Sequence, residues 1–236
     1  MKLHRKIFAL TLLLALFLAM TDTDASDAAS SAPPRYLALT FDDGPSGAIT
    51  ERLLDGLRER GVPVTFFLCG YRVTQYPSLV ARIAADGHEL GVHGLSHQYM
   101  QKMSEDQTKC ELEGTAFAIA EIVGETPCLF RPPGGLTGPR MLAEARREGF
   151  SLILWSIDPE DWKNHDAAKV TRMICRSAKD GGVILMHDMS STSVAAALRA
   201  IDTLTAQGWR FVTVSEMAAL RRTTLRPGEI YKSFPD

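Results

Sequence analysis

Two carboxylates stand side by side, Asp42 and Asp43, at the end of the stretch YLALTFDDGPS, residues 36–46. Along a strand, neighbouring side chains point to opposite faces. At a strand end that runs into a turn, two adjacent acids can therefore serve two targets. One can ligate a metal while the other stays free to accept a proton. The same residues also suit a plain turn, because Asp-Gly-Pro is ordinary turn chemistry. The pair His93 and His97, in HGLSH, shifts the balance towards a site. Two imidazoles four residues apart reach one point on a helix or in a tight loop. With one carboxylate they make three protein ligands and leave an open position for water.

Other ionisable groups fall at comparable places. Arg131 follows CLF, Asp158 and Asp161 follow SLILWSI, and His187 closes VILMH with Asp188 after it. A histidine at a strand end suits an acid working near neutral pH, although a hydrogen-bonded core histidine is the plainer fate. His88 reads as structural, at the start of its strand. His4 lies in the leader and His165 in a polar loop, and neither carries a role.

These groups need elements to position them. From Tyr36 onward, apolar runs alternate with helical patterns, the βαβ signature of a parallel sheet. The periodicity predicts strands over 36–41, 62–68, 88–92, 127–130, 151–157, 182–186 and 210–214. It predicts helices over 50–61, 78–87, 104–124, 138–149, 166–181 and 193–208, the third opened by a Ser104-x-x-Gln107 capping box. About seven strands and their helices suggest a (β/α)-type barrel or an open doubly wound sheet. Five of the strands end in the ionisable groups just named, and in both folds ligands bind at the carboxyl ends of strands. Residues 221–236, RRTTLRPGEIYKSFPD, have no periodicity and read as surface chain.

The composition is that of a globular protein, 45% hydrophobic and 23% charged over 236 residues, with a formal charge of −2. Nothing in it marks a nucleic-acid binder. The start is different. MKLHRK is cationic, and residues 7–20 form an apolar run too short for a typical membrane span, the pattern of an export signal. Cleavage fits after Ala25 or Ala28. Loss of residues 1–25 would bring the charge to about −3. Residues 26–35 read as a linker, 36–220 as one domain and 221–236 as a tail. The protein is thus expected to be exported, periplasmic or secreted, meeting membrane only through its signal. Cys69, Cys110, Cys128 and Cys175 form no close pair, so a cysteine zinc site is not expected, and buried thiols and disulfides both remain open.

TFDDGP, HGLSH, RPPGG, DPEDW and LMHD, in that order, resemble the polysaccharide deacetylases, that is the NodB-homology domain or carbohydrate esterase family 4. The resemblance covers residues 36–218. It implies a distorted (β/α)7-type barrel in a single domain, and metal-dependent hydrolysis of N-acetyl groups from N-acetylglucosamine-containing glycans such as peptidoglycan or chitin-type oligomers. It implies one divalent ion, Zn2+ first, with Co2+ or Ni2+ as alternatives. Asp43, His93 and His97 match the metal ligands. Asp42 matches the general base, Arg131 the residue that holds it, His187 the general acid and Asp161 its charge partner. Gly134 matches a backbone oxyanion donor, while Trp162 and Leu185 match apolar walls around the acetyl methyl.

Three positions depart from the pattern. Val92 and Gly94 flank His93 where Asn and Ser or Thr are common, so support for the histidines is either weaker or supplied from elsewhere. Gly134 stands where a Tyr is frequent, which widens the site or removes a sugar contact. An O-acetyl esterase acting on xylan would use the same site. A glycan-binding protein on a catalytically dead scaffold is a reading of another class, and it predicts the loss of a ligand or of the base.

Overall fold

The computed structural model describes residues 33–236, so the leader and most of the linker lie outside the described residues. Eight strands form one sheet: β1 (Arg35–Asp42), β2 (Thr65–Leu68), β3 (Glu89–Val92), β4 (Leu129–Phe130), β5 (Ser151–Ile153), β6 (Gly182–His187), β7 (Trp209–Val212) and β8 (Ile230–Tyr231). All of their pairings are parallel, in the order β6-β1-β2-β3-β4-β5-β8, with β7 on the first half of β1 and β2 on the second. Beyond β5, Ile157 bridges in parallel to Ile184 of β6, so the sheet curls back on itself as an incomplete barrel. The helices are α1 (Ala48–Arg60), α2 (Gly70–Gln75), α3 (Pro77–Ala85), α4 (Glu105–Val123), α5 (Pro139–Arg147), α6 (Ala167–Ser177), α7 (Ser191–Ala206) and α8 (Val214–Leu220). The Ser104–Gln107 capping box opens α4 as its sequence predicts. None of these helices is long and apolar enough to cross a membrane.

Strand parity sorts the core. On β1, Leu37, Leu39 and Phe41 point outward and pack with Leu53, Leu57, Ile184 and Met186 beneath the helices. Ala38 points the other way, into the barrel, with Phe67, Ile153 and Val183. A third cluster, around Val92, Leu112 and Phe130, lies between the sheet and α4 and α5. Strands buried on both faces read as continuous apolar runs, which is why β1 and β6 stand out in the sequence.

The tail departs from its reading as surface chain. Residues 230–231 pair with β5, and Ser233 bridges to Gly182 of β6. Phe234 is 1% exposed and lies in the barrel interior cluster. Its N–H donates to the Gly181 carbonyl at 2.8 Å. A side chain on Gly181 would meet the Phe234 carbonyl at 1.9 Å, so only glycine fits there. Two strand residues are too few to leave a period, and the burial comes from one aromatic ring. The short α2 and α8 carry too few residues for a clear pattern as well. All four cysteines are free thiols. Cys69 is buried, Cys175 is half-buried, and Cys110 and Cys128 are exposed, so burial does not account for the last two.

Phe234→Ala should remove the ring that fills this end of the barrel. The expected cost is about 3–5 kcal/mol of stability. Urea unfolding of the two proteins measures it, and a change within about 0.5 kcal/mol, the range of a surface substitution, would mean that the tail is dispensable.

Candidate active site

The residues that follow β1, β3, β4, β5 and β6 converge on a cleft of about 370 Å³. Asp42, Asp43, His93, His97, Gly134, Trp162, Leu185 and His187 line it. Arg131 and Asp161 do not; both are buried behind it, and each holds a group that does. Two larger hollows, of about 520 and 780 Å³, lie at the amino ends of β3 and β4 and along α4. Among the described residues, only Asp43, His93 and His97 form a group that could hold a metal ion.

Parity continues from the core into the cleft. Ala38, Thr40 and Asp42 form the inward series of β1, and Val183, Leu185 and His187 that of β6. The register pairs Ala38 with Val183, Thr40 with Leu185 and Asp42 with His187. The two strands therefore bring an acid and a histidine side by side at the mouth. Arg131 crosses beneath them, fully buried. Its Nη1 donates to Asp42 Oδ1 and to Thr40 Oγ1, both at 2.7 Å. Its Nε and Nη2 donate to the Ile153 and Leu154 carbonyls. The guanidinium lies 4.1 Å from the Phe67 ring centroid. Burial lowers its pKa, and Asp42 opposes that shift.

Asp43 leaves the strand with φ 73°, a left-handed conformation that Asp tolerates better than most residues. Its Oδ1 lies 3.2 Å from His93 Nε2 and 3.0 Å from His97 Nε2. That oxygen is buried and makes no aligned hydrogen bond. The three ligand atoms lie within 4.8 Å of one another. A buried carboxylate oxygen between two imidazole nitrogens, with no aligned hydrogen bond to either, fits a cation's ligand set. The His93 tautomer agrees. Its Nδ1 lies 2.7 Å from the Arg131 carbonyl, which can only accept, so Nδ1 carries a proton and, in the neutral ring, Nε2 presents the lone pair a cation needs. Burial would raise the Asp43 pKa, but the two imidazoles outweigh it and hold the carboxyl well below the usual range.

The histidines stand in a loop. His97 has φ 60°, and the loop is tied down by Glu111 of α4, which accepts from the Ser96 N–H at 2.9 Å and from the Ser96 hydroxyl at 2.5 Å. This contact and the Arg131 carbonyl supply the support that Val92 and Gly94 do not. Glu111 did leave a trace in the sequence, since it interrupts the buried stripe of Thr108, Leu112 and Thr115 on α4.

His187 finds its partner in Asp161. The carboxylate takes His187 Nδ1 at 2.9 Å and the His187 backbone N–H at 3.0 Å. Burial alone would lower this imidazole's pKa, but Asp161, with Asp42 and Asp43 further off, raises it to about 9. Asp188 has a different task. It is wholly buried and accepts from the Thr50 hydroxyl, and burial raises its pKa to about 7. Asp158 lines the cleft and accepts from the Glu160 N–H in its own turn. His88 is a strand-start histidine that accepts from the Val64 N–H, as its position suggests. His165 is exposed and does not line the cleft.

A profile described as Polysaccharide deacetylase matches residues 29–153. The chain belongs to the polysaccharide deacetylase family. Over 183 residues it is 37% identical to the peptidoglycan-N-acetylglucosamine deacetylase PgdA of Listeria monocytogenes, matching 78% of this chain and 39% of that protein. It thus spans about two fifths of that relative's length. Over 189 residues it is 37% identical to a peptidoglycan-N-acetylglucosamine deacetylase of Bacillus cereus, matching 78% and 88% of the two chains. Among solved structures, a family 4 acetyl xylan esterase from Clostridium thermocellum in complex with a cobalt ion superposes with a TM-score of 0.81. It is 31% identical, and the match covers 86% of this chain and all of that one.

Two residues that line this cleft were not singled out in the sequence. Trp155 lies in the apolar run after β5, and Tyr99 in the loop after the histidines. Aromatic residues outside any motif give no pattern to read. Tyr99 answers one departure, since its ring lies against Gly134, where the family pattern often carries its own tyrosine.

Arg131→Leu would leave Asp42 buried without its partner. The expected loss is about 3–5 kcal/mol of stability, measured by urea unfolding. A loss below about 1 kcal/mol would show that the pair does not anchor the barrel.

Proposed function

We propose that this protein removes N-acetyl groups from N-acetylglucosamine-containing glycans outside the cytoplasm, with a divalent metal ion held by Asp43, His93 and His97. The observation that carries the reading is the buried, unpaired Asp43 oxygen between two imidazole nitrogens, with a second carboxylate and a charged histidine beside it. A donor set of two imidazoles and one carboxylate suits Zn2+ best, with Co2+ and Ni2+ as alternatives. The cation would supply Lewis acidity towards the acyl carbonyl and the attacking water.

The chain's own residues account for the proton transfers. Arg131 occupies Asp42 Oδ1, so Oδ2 is the atom free to take a proton from the attacking water. Asp161 occupies Nδ1 of His187, so Nε2 is the atom free to protonate the leaving nitrogen. An amine leaves poorly without that proton, and a pKa near 9 keeps the imidazole charged at neutral pH. The Gly134 N–H is the candidate donor to the developing oxyanion. Leu185, Trp155 and Trp162 wall the space for the acetyl methyl. Peptidoglycan is the favoured glycan because the Listeria and Bacillus relatives are named for it. The cationic start and the apolar run of residues 7–20 support export. A second reading, hydrolysis of O-acetyl groups on xylan, is favoured by the likeness to the acetyl xylan esterase.

Acetate release from N-acetylglucosamine oligomers, peptidoglycan and acetyl xylan tests this. Release from the N-acetylated glycans is expected to stop with chelator, to return with Zn2+, and to fall about 10²–10⁴-fold in Asp42→Asn. Release from acetyl xylan alone would replace the proposal with the esterase reading.

The acid gives a second test. Activity should fall as pH rises through the pKa of His187, because the deprotonated imidazole has no proton to give. Asp161→Asn removes the chief group that raises that pKa, so the alkaline limb should move from about 9 towards the ordinary imidazole range. An unmoved limb in the pH profile of kcat/KM would exclude His187 as the acid.

A further inference from the structure

The turn after β4 is a pair of left-handed glycines, Gly134 and Gly135, both with φ 66°. An aromatic ring stands against each. A Cβ on Gly134 would come within 3.0 Å of Tyr99 Cε1, and one on Gly135 within 2.6 Å of Trp155 Cη2. The approach continues at Gly138, where a Cβ would meet the Gln101 carbonyl at 2.5 Å. The loop after β3 is thereby held against the loop after β4. Tyr99 lines the same cleft as the acid and the base, yet the residue is 62% exposed. One side of its ring rests on bare glycine backbone, and most of the residue faces solvent.

The surroundings match. Among the described residues, nine large apolar side chains remain exposed, and they include Tyr71, Leu95, Tyr99, Leu136, Trp162 and Met189. These six lie in the segments that follow β2, β3, β4, β5 and β6, the end of the barrel that carries the cleft. An exposed apolar rim around a polar centre marks a binding face. A pyranose with equatorial substituents has that same division, with apolar C–H faces and polar edges.

We propose that Tyr99 is a stacking platform for the sugar ring that bears the acetyl group. The proposal rests on the deacetylase reading and adds to it the residue that selects a glycan over a simple acetyl compound. The sugar lies with a C–H face on the tyrosine ring, over Gly134, and its acetyl group reaches inward towards Leu185. Tyr99 is a specificity residue. It contributes ring area, so its hydroxyl is dispensable.

The test compares two substrates. Tyr99→Ala should lower kcat/KM on the N-acetylglucosamine tetramer about tenfold, mostly through KM. It should leave hydrolysis of p-nitrophenyl acetate, which has no sugar, within about twofold. Tyr99→Phe and Tyr99→Trp should keep tetramer activity. Calorimetric titration of the tetramer into metal-loaded Asp42→Asn, with and without Tyr99→Ala, reads binding without turnover and should show the same tenfold loss. A wild type active on the tetramer with Tyr99→Ala equal to it would overturn the platform and leave the deacetylase reading standing. Equal losses on both substrates would also overturn it, because that is the signature of a merely structural residue. A wild type inert on every acetylated substrate would overturn the deacetylase reading, and the platform with it.

Discussion

A guanidinium inside a barrel sets the terms for the rest of this structure. Arg131 is fully buried, and an unpaired cation there would cost more than a small domain can spare. Its partners come from three strands or their ends: Asp42 and Thr40 on β1, the Ile153 and Leu154 carbonyls at the end of β5, and the Phe67 ring on β2. Thr40 passes the chain on, since its hydroxyl donates to the Ile184 carbonyl of β6. The Arg131 backbone carbonyl also fixes the tautomer of His93. One residue thus ties the proposed base and a proposed metal ligand to the same framework. Neither can shift without disturbing the other.

The second constraint is parity. A one-residue slip of β1 would turn Asp42 outward among the leucines and bring Phe41 into the mouth of the barrel. The outward apolar series and the inward polar series therefore enforce one another. The same alternation sets Asp42 beside His187 with no help from loops. Loops place Asp43 and the two histidines, and Asp43 and His97 take left-handed backbone conformations there.

What could be read in advance follows from these constraints. The alternating apolar runs, the capping box and the acids and histidines at strand ends are local, and they carry most of the fold and the whole proposed ligand set. The misses are long-range. Glu111 reaches Ser96 across 15 residues, and Tyr99 meets Gly134 because glycine leaves room for it. The tail has no period because its contribution is two backbone pairings and one ring. Cys110 and Cys128 are exposed, Cys110 between Lys109 and Glu111, so the count of cysteines alone says nothing about their burial.

Phe234 has a consequence for how this protein is made. It fills one end of a barrel whose strands all precede it in the chain. During synthesis every strand from β1 to β7 leaves the ribosome before the residue that plugs them. Until then the interior around Ala38, Phe67 and Val183 stays open at one end. A nascent chain in that state holds most of its secondary structure information but lacks its last tertiary lock.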